Sequence, residues 1–302
     1  MGRLDNRVAV VTGSGRGIGA EVAKALGREG AKIVVNDIGA SLEGGGQDTS
    51  PADEVVAAIK DAGGDAVANY DSVADYDAAE NIIKTALDTY GDLDILINVA
   101  GNLRDRMIFN MNKEEWDAVI AVHLNGTFNT TKYASIHWRT ERKGHYRLIN
   151  FTSGSGLHGA AGQPNYAAAK MGIVGLTYSC ANALERYGVT SNCIAPGAAT
   201  RMTDSVPDDR RRSGSADSDT IAEEDHPRSP AHVAKPIVYM ASEDSDWLNG
   251  RTIRTAGYRI GFYNNPALVK ELISENSWSL DSIWEGFEQQ FKPIAEGTDG
   301  QS

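Results

Sequence analysis

Short aliphatic and β-branched runs alternate with longer amphipathic segments from the start of the chain. Residues 8–12, 32–37, 65–70, 93–98 and 147–151 read as strands that are apolar on consecutive rather than alternate positions. Runs of that kind belong to strands covered on both faces, as in a parallel sheet. Between them, 17–29, 52–62, 75–90, 113–139 and 165–187 read as helices. Residues 190–194, 233–241 and 252–255 complete the pattern. Alternation of this sort predicts βαβ units with right-handed crossovers and one parallel sheet, in a single α/β domain.

Three stretches interrupt the rhythm. Residues 39–50 form a glycine-rich loop containing Gly44-Gly45-Gly46. Residues 204–230 are charged and poor in apolar side chains, which suits either a solvated loop or a substrate flap. Residues 264–291 carry two short amphipathic helical patterns, one of them around Ala267-Leu268 and Leu272-Ile273. The expected organisation is a catalytic domain over 1–261, with its flap at 204–230, and a C-terminal helical extension over 262–302.

A chain of 302 residues buries enough surface to need no disulfide or metal staple. With 29 basic and 41 acidic residues its formal charge is −12, which argues against a nucleic-acid partner. Cys180 and Cys193 are too few for a disulfide framework or a zinc site, and no metal cluster is visible. Residues 1–7 lack the apolar core of a signal peptide, and no run approaches the roughly 18 apolar residues of a membrane span. A soluble, cytoplasmic protein without a membrane partner is expected.

The first strand runs into Thr12-Gly13-Ser14-Gly15-Arg16-Gly17-Ile18-Gly19 and then a helix. Ile18 stands where the strict G-x-G-x-x-G pattern has its third glycine, yet the physical logic survives. Glycines let the backbone turn sharply and approach a pyrophosphate, and the helix N-terminus then meets its charge. Asp37 ends the second strand, near the position about 20 residues on where an acid accepts hydrogen bonds from the adenosine ribose. A carboxylate there repels a 2′-phosphate, so NAD is favoured over NADP. Arg16 counts the other way, since a basic residue in the turn suits that phosphate.

Tyr166 and Lys170 lie four positions apart on one predicted helix and so share a face. A free phenol titrates near about 10, and a neighbouring ammonium lowers that value. Ser153, at the end of the strand before them, is placed to donate to a carbonyl oxygen while Tyr166 moves the proton.

With these motifs in view, the chain resembles the short-chain dehydrogenase/reductase family from Arg3 to about Gly261. The likeness rests on Thr12-Gly13 through Gly17 and Gly19, Asn98-Val99-Ala100-Gly101, Asn125, Ser153, Tyr166 with Lys170, and Pro196-Gly197. It implies a doubly wound seven-stranded parallel sheet with helices on both faces, a Rossmann fold, and hydride transfer between a nicotinamide and an alcohol or carbonyl. It also implies that Tyr166 is the acid/base, that Ser153 polarises the oxygen, and that Lys170 holds the nicotinamide ribose. Asn125 would hold a relay water, Asp71 and Ser72 would sit beside the adenine, and Asn98, Ala100 and Gly101 would line the ribose and phosphates. Pro196, Gly197 and the next residues, Ala199 and Thr200, would approach the nicotinamide amide. Val99 replaces a second asparagine, Arg201 stands where a threonine is usual, and Ala256-Gly257 replaces a Gly-Gly pair.

Further segments resemble one subgroup, the (3R)-hydroxyacyl-CoA dehydrogenase part of peroxisomal multifunctional enzymes and its bacterial relatives. These are Val35-Asn36-Asp37-Ile38-Gly39, Leu103-Arg104-Asp105-Arg106, Gly162-Gln163-Pro164-Asn165-Tyr166 and Arg201-Met202-Thr203. The expectation is an NAD-dependent oxidoreductase acting on a secondary alcohol or ketone, a 3-hydroxyacyl-CoA thioester or a hydroxysteroid. The alternatives are an NADPH-dependent 3-ketoacyl reductase and a non-catalytic dinucleotide-binding module. The resemblance also implies a homo-oligomer, tetramer or dimer; Ala167-Ala168-Ala169, Gly172 and Gly175 would permit close approach along their helix, or simple core packing against the sheet. His158 and Gln163 read as pocket lining or plain loop, and Arg104 and Arg106 as loop charges. His123 reads as a structural histidine, Cys180 and Cys193 as buried inert thiols, and Trp116 and Trp138 as packing for the long helix.

Overall fold

The computed structural model describes residues 2–41, 45–198 and 226–297. Most of the expected flap at 204–230, together with Ala199 and Thr200, lies outside the described residues. The strands are β1 (Val8–Thr12), β2 (Lys32–Asn36), β3 (Asp65–Asn69), β4 (Ile95–Asn98), β5 (Tyr146–Phe151), β6 (Val189–Pro196), β7 (Thr252–Ala256) and β8 (Arg259–Tyr263). Between them run α1 (Gly17–Arg28), α2 (Ser50–Asp61), α3 (Tyr76–Tyr90), α4 (Lys113–Ile120), α5 (Gly126–Glu141), α6 (Gly154–His158), α7 (Pro164–Leu184) and α8 (Ala231–Ala241).

One sheet takes the order β3-β2-β1-β4-β5-β6-β7-β8. The first seven strands are parallel, as the family likeness implies, and the order reverses between β1 and β4. The eighth was not expected: β8 pairs antiparallel with β7. Ala256 and Arg259 close that hairpin around Gly257-Tyr258, and Gly257 has a φ of 58°, a value that few other residues tolerate. The segment was too short and too mixed in polarity to stand out as a strand.

Alternate residues of β1 face opposite cores, which explains its unbroken apolar run. Ala9 and Val11 pack with Val22 and Leu26 of α1 and Ile237 of α8. Val8 and Val10 pack with Ile82 and Ile83 of α3 and Trp138 of α5. Trp138 is fully buried and donates to Leu93 O at 2.7 Å, whereas Trp116 is 37% exposed and does not pack as expected.

The long helix read over 113–139 is broken. A π turn, Ala121–Asn125, separates α4 from α5, and such insertions often mark functional sites. Amphipathic spacing is insensitive to one extra residue, so the sequence pattern concealed it.

Asn264–Ser302 forms a second unit. It holds α9 (Leu280–Gly286), started by a Ser279/Ser282 capping box, then a π turn, Phe287–Phe291, and α10 (Lys292–Ala295). The helix expected around 267–273 is absent, and Leu268, Val269 and Ile273 are exposed. A short helix without a partner for its apolar face is marginal in water. Among the described residues no helix is long and apolar enough to cross a membrane.

Candidate active site

Parallel register brings Thr12, Asn36, Asn98 and Asn150 to the same edge of the sheet. Clefts in open α/β sheets form at that edge, where the strand order reverses. The turn after β1 is held from below. Thr12 Oγ1 accepts from the N–H groups of Val99 and Ala100 at 3.1 and 3.3 Å, tying β1 to the end of β4. Ser14 faces inward, its hydroxyl donating to Val11 O at 2.6 Å, so it offers no side chain to a ligand. Gly13 (φ 61°) lies so near Ala100 that a Cβ would come within 2.6 Å of its Cα. At Gly19 a Cβ would come within 2.2 Å of Gly13 O. Ile18 packs against the core, and no side chain caps the N-terminus of α1.

Asp37 accepts from Gly15 N at 2.8 Å and from Gly39 N at 2.7 Å. Its carboxylate thus already sits against the glycine turn, where the sequence placed it. The uncapped N-terminus of α1 beside this acceptor fits the pyrophosphate and ribose of a dinucleotide.

Across the same edge, Ser153 follows β5 and caps α6, accepting from Ser155 N at 3.2 Å. The neighbouring Ser153 hydroxyl acts to lower the pKa of Tyr166, near the start of α7. Lys170 is buried one turn on. Its Nζ lies 5.6 Å from the centroid of the Tyr166 ring and donates to Phe151 O at 2.8 Å. Thr152 Oγ1 donates to Lys170 O at 2.8 Å, and a Cβ on Gly156 would come within 2.7 Å of Lys170 Cβ. Thr152 and Gly156 thus fix how closely α7 approaches α6, a function no sequence motif advertised.

The electrostatics correct one expectation. Burial pushes Tyr166 up to about 12, with the Ser153 hydroxyl opposing and Asp105 reinforcing the rise. Burial also draws Lys170 down to about 7. Desolvation therefore sets the direction for the phenol, and Lys170 Nζ is engaged by Phe151 O rather than by the phenol.

The wall behind Tyr166 is built from the loop after β4. His123 is buried within the π turn, its ring edge-on to Tyr166 at 5.1 Å between centroids. Its Nε2 lies 3.0 Å from Asn102 N and 2.8 Å from Asn102 O, while Nδ1 has no partner. Burial, and secondarily Lys170, holds His123 well below its ordinary value, so the ring is neutral. Asn165 Nδ2 donates to Arg104 O and Glu115 O, both at 3.0 Å, and Gln163 Nε2 donates to Asp105 Oδ2 at 2.8 Å. The segment around 104–106 is thereby bolted to the entry of α7.

Other expected residues divide. Asn125 ends the π turn with its side chain exposed. Asn98 spends its amide inside the sheet, donating to Asn150 Oδ1 at 2.9 Å and accepting from Thr130 Oγ1 at 2.7 Å. Only its backbone is left to line the cleft. Asp71 accepts from Asn69 Nδ2 at 2.8 Å, and Ser72 accepts from Ala74 N at 3.3 Å, both at the same sheet edge. Gly101 packs on the His123 ring, and Gly197, after Pro196, donates to Thr255 O at 2.7 Å. His158 is exposed and 3.4 Å from Tyr263 Oη. Cys193 is buried and Cys180 half-buried, with burial pushing their thiols up to about 12 and about 11.

Residues 7–211 match the family model described as short chain dehydrogenase, and with this fold the chain belongs to the short-chain dehydrogenase family of oxidoreductases. A nicotinamide dinucleotide is accordingly its cofactor class. The chain is 40% identical over 282 residues to hydroxyacyl-CoA dehydrogenase ChsB1 of Mycobacterium tuberculosis, covering 91% of this chain and 85% of that one. It is 45% identical over 204 residues to peroxisomal multifunctional enzyme type 2 of Mus musculus, covering 68% of this chain but 27% of that protein. The crystal structure of a short chain dehydrogenase from Mycobacterium avium superposes with a TM-score of 0.81 at 40% identity, covering 100% of this chain and 97% of that one. The subgroup likeness read from the sequence is thus borne out.

Proposed function

We propose that the protein is an NAD-dependent dehydrogenase interconverting a secondary alcohol and a ketone, with a 3-hydroxyacyl-CoA or hydroxysteroid-like substrate. The observation that carries this is Tyr166 with Lys170 Nζ 5.6 Å from its ring, at the sheet edge that also carries Ser153 and the glycine turn. When bound, the dinucleotide exchanges a hydride with the substrate carbon. Tyr166 Oη holds the proton exchanged with the substrate oxygen, and Ser153 Oγ donates a hydrogen bond to that oxygen, stabilising charge that develops on it. In this reading Lys170 would hold the nicotinamide ribose and bring positive charge toward the phenol, and Asn125, exposed at the end of the π turn, would hold a relay water. Asp37 supports NAD, because its carboxylate faces the turn that would hold the ribose. The substrate class follows the hydroxyacyl-CoA dehydrogenase relative.

A 3-ketoacyl reductase is the second reading, favoured by the burial that pushes Tyr166 up to about 12 and so keeps a proton on the phenol for donation. Rates with 3-hydroxyacyl-CoA plus NAD and with 3-ketoacyl-CoA plus NADPH separate the two. Reduction of NAD at the higher kcat/KM supports the proposal, and preference for NADPH by tenfold or more overturns it. We further propose a homo-oligomer, because α5 exposes Phe128 and Ile136 and α7 exposes Met171. Sedimentation as a monomer at micromolar concentration would exclude it.

A further inference from the structure

We propose that Asp48 is a second determinant of cofactor choice, acting with Asp37 and holding Arg16 in an ion pair that denies it to a 2′-phosphate. This rests on the NAD reading above and deepens it. Arg16 is the basic residue of the glycine turn, and its Nη2 lies 3.7 Å from Asp48 Oδ2. The two side chains are 43% and 49% exposed, so the pair adds little to stability and is open to an arriving ligand.

Asp48 is nonetheless placed by the fold. Its N–H donates to Ile38 O at 3.0 Å, and its Oδ1 accepts from Ser50 N at 3.0 Å. Its carbonyl lies over Gly39 (φ 66°), where a Cβ would come within 1.8 Å of that oxygen. The loop after β2 therefore closes only with glycine at 39. Closure carries the Asp48 carboxylate to Arg16 while Asp37 binds Gly15 N. Both acids address consecutive residues of one turn.

A ribose 2′-hydroxyl finds acceptors there. A 2′-phosphate, carrying about −1.5 to −2 charge, meets two carboxylates and a guanidinium already paired. Without Asp48, the same Arg16 becomes a phosphate ligand.

The test is calorimetric titration of the full-length protein with 2′-AMP, 5′-AMP, NADP and NAD. Asp48→Asn should raise the ratio of 2′-AMP to 5′-AMP affinity, and of NADP to NAD affinity, about tenfold. Asp48→Ser should act alike, which guards against a folding artefact of one variant. The gain should vanish in Arg16→Ala/Asp48→Asn and shrink at high salt. A ratio changed less than twofold in both Asp48 variants, or a gain that persists without Arg16, overturns the proposal while leaving NAD preference standing. Tighter NADP than NAD binding by the unmodified protein overturns the NAD reading itself.

Discussion

Strand β5 begins at Tyr146 and Arg147 and ends two residues before Ser153, and the polar groups at its two ends are treated differently. Arg147 is 1% exposed at the edge where the parallel strands begin. It donates to Ser242 O and Ser245 Oγ at 3.0 Å, to Tyr146 O at 3.0 Å, and to Asp246 Oδ1 at 2.5 Å. Nearby, Asp94 accepts from Val8 N at 2.8 Å and from Lys143 Nζ at 2.7 Å. Burial alone would raise Asp92 and lower Lys143, yet hydrogen bonds to their partners reverse both shifts. At the far edge Lys170 has a carbonyl as its partner, His123 leaves Nδ1 unpaired, and Tyr166 is pushed up by burial. Paired charges hold the fold together at one edge. Strained proton equilibria are kept at the other.

Breaking each edge should therefore have separable consequences. Tyr166→Phe should lower turnover by about 10²–10⁴-fold while the dissociation constant for NAD stays within a few-fold and the urea midpoint is kept. Retention of most of the turnover would remove Tyr166 from the chemistry. Arg147→Met should do the reverse, costing about 3 kcal/mol of stability in urea titrations because several buried acceptors lose their donor. Its kcat should hold within about twofold, and a large kcat loss would deny that the edges act separately. Lys170→Met sharpens the contrast: turnover falls on the order of 100-fold, yet stability at neutral pH rises by about 1 kcal/mol, since a buried ammonium is removed. A drop in stability would show that Lys170 is a net structural asset.

The smallest effect concerns His123. Neutral when folded, it titrates near the ordinary histidine value of 6.5 when unfolded. Below that pH the unfolded chain binds a proton that the folded chain refuses, so stability falls as pH drops. The slope contributed is up to about 1.4 kcal/mol per pH unit. Stability from pH 7.5 to 5 should thus fall less steeply in His123→Phe than in the unmodified protein, and equal slopes would contradict a neutral buried ring.

The same contrast governs how much could be read in advance. Apolar runs revealed the first five strands because a parallel sheet buried on both faces imprints itself on composition, and the count of seven came from the family likeness. Gly13, Gly17, Asp37, Ser153, Tyr166 and Lys170 were legible because each answers a local demand at fixed spacing. The π turn escaped because one inserted residue leaves helical periodicity nearly intact. Strand β8 escaped because its pairing is set by a turn at Gly257 and by β7, not by its own pattern. The direction of the Tyr166 shift was misread because spacing along a helix reports which groups are close, whereas burial depends on the whole surrounding wall. Asp48 lay in a loop whose closure on Gly39 is a tertiary event.

Ultraviolet difference titration of the phenolate, unmodified protein minus Tyr166→Phe, bears most directly on whether this tyrosine is a switchable proton carrier. Without ligand the Tyr166 signal should appear only toward pH 12. With saturating NAD, whose nicotinamide is positive, it should move down by several units, and Lys170→Met should blunt that movement. An unchanged titration with and without NAD would contradict the account.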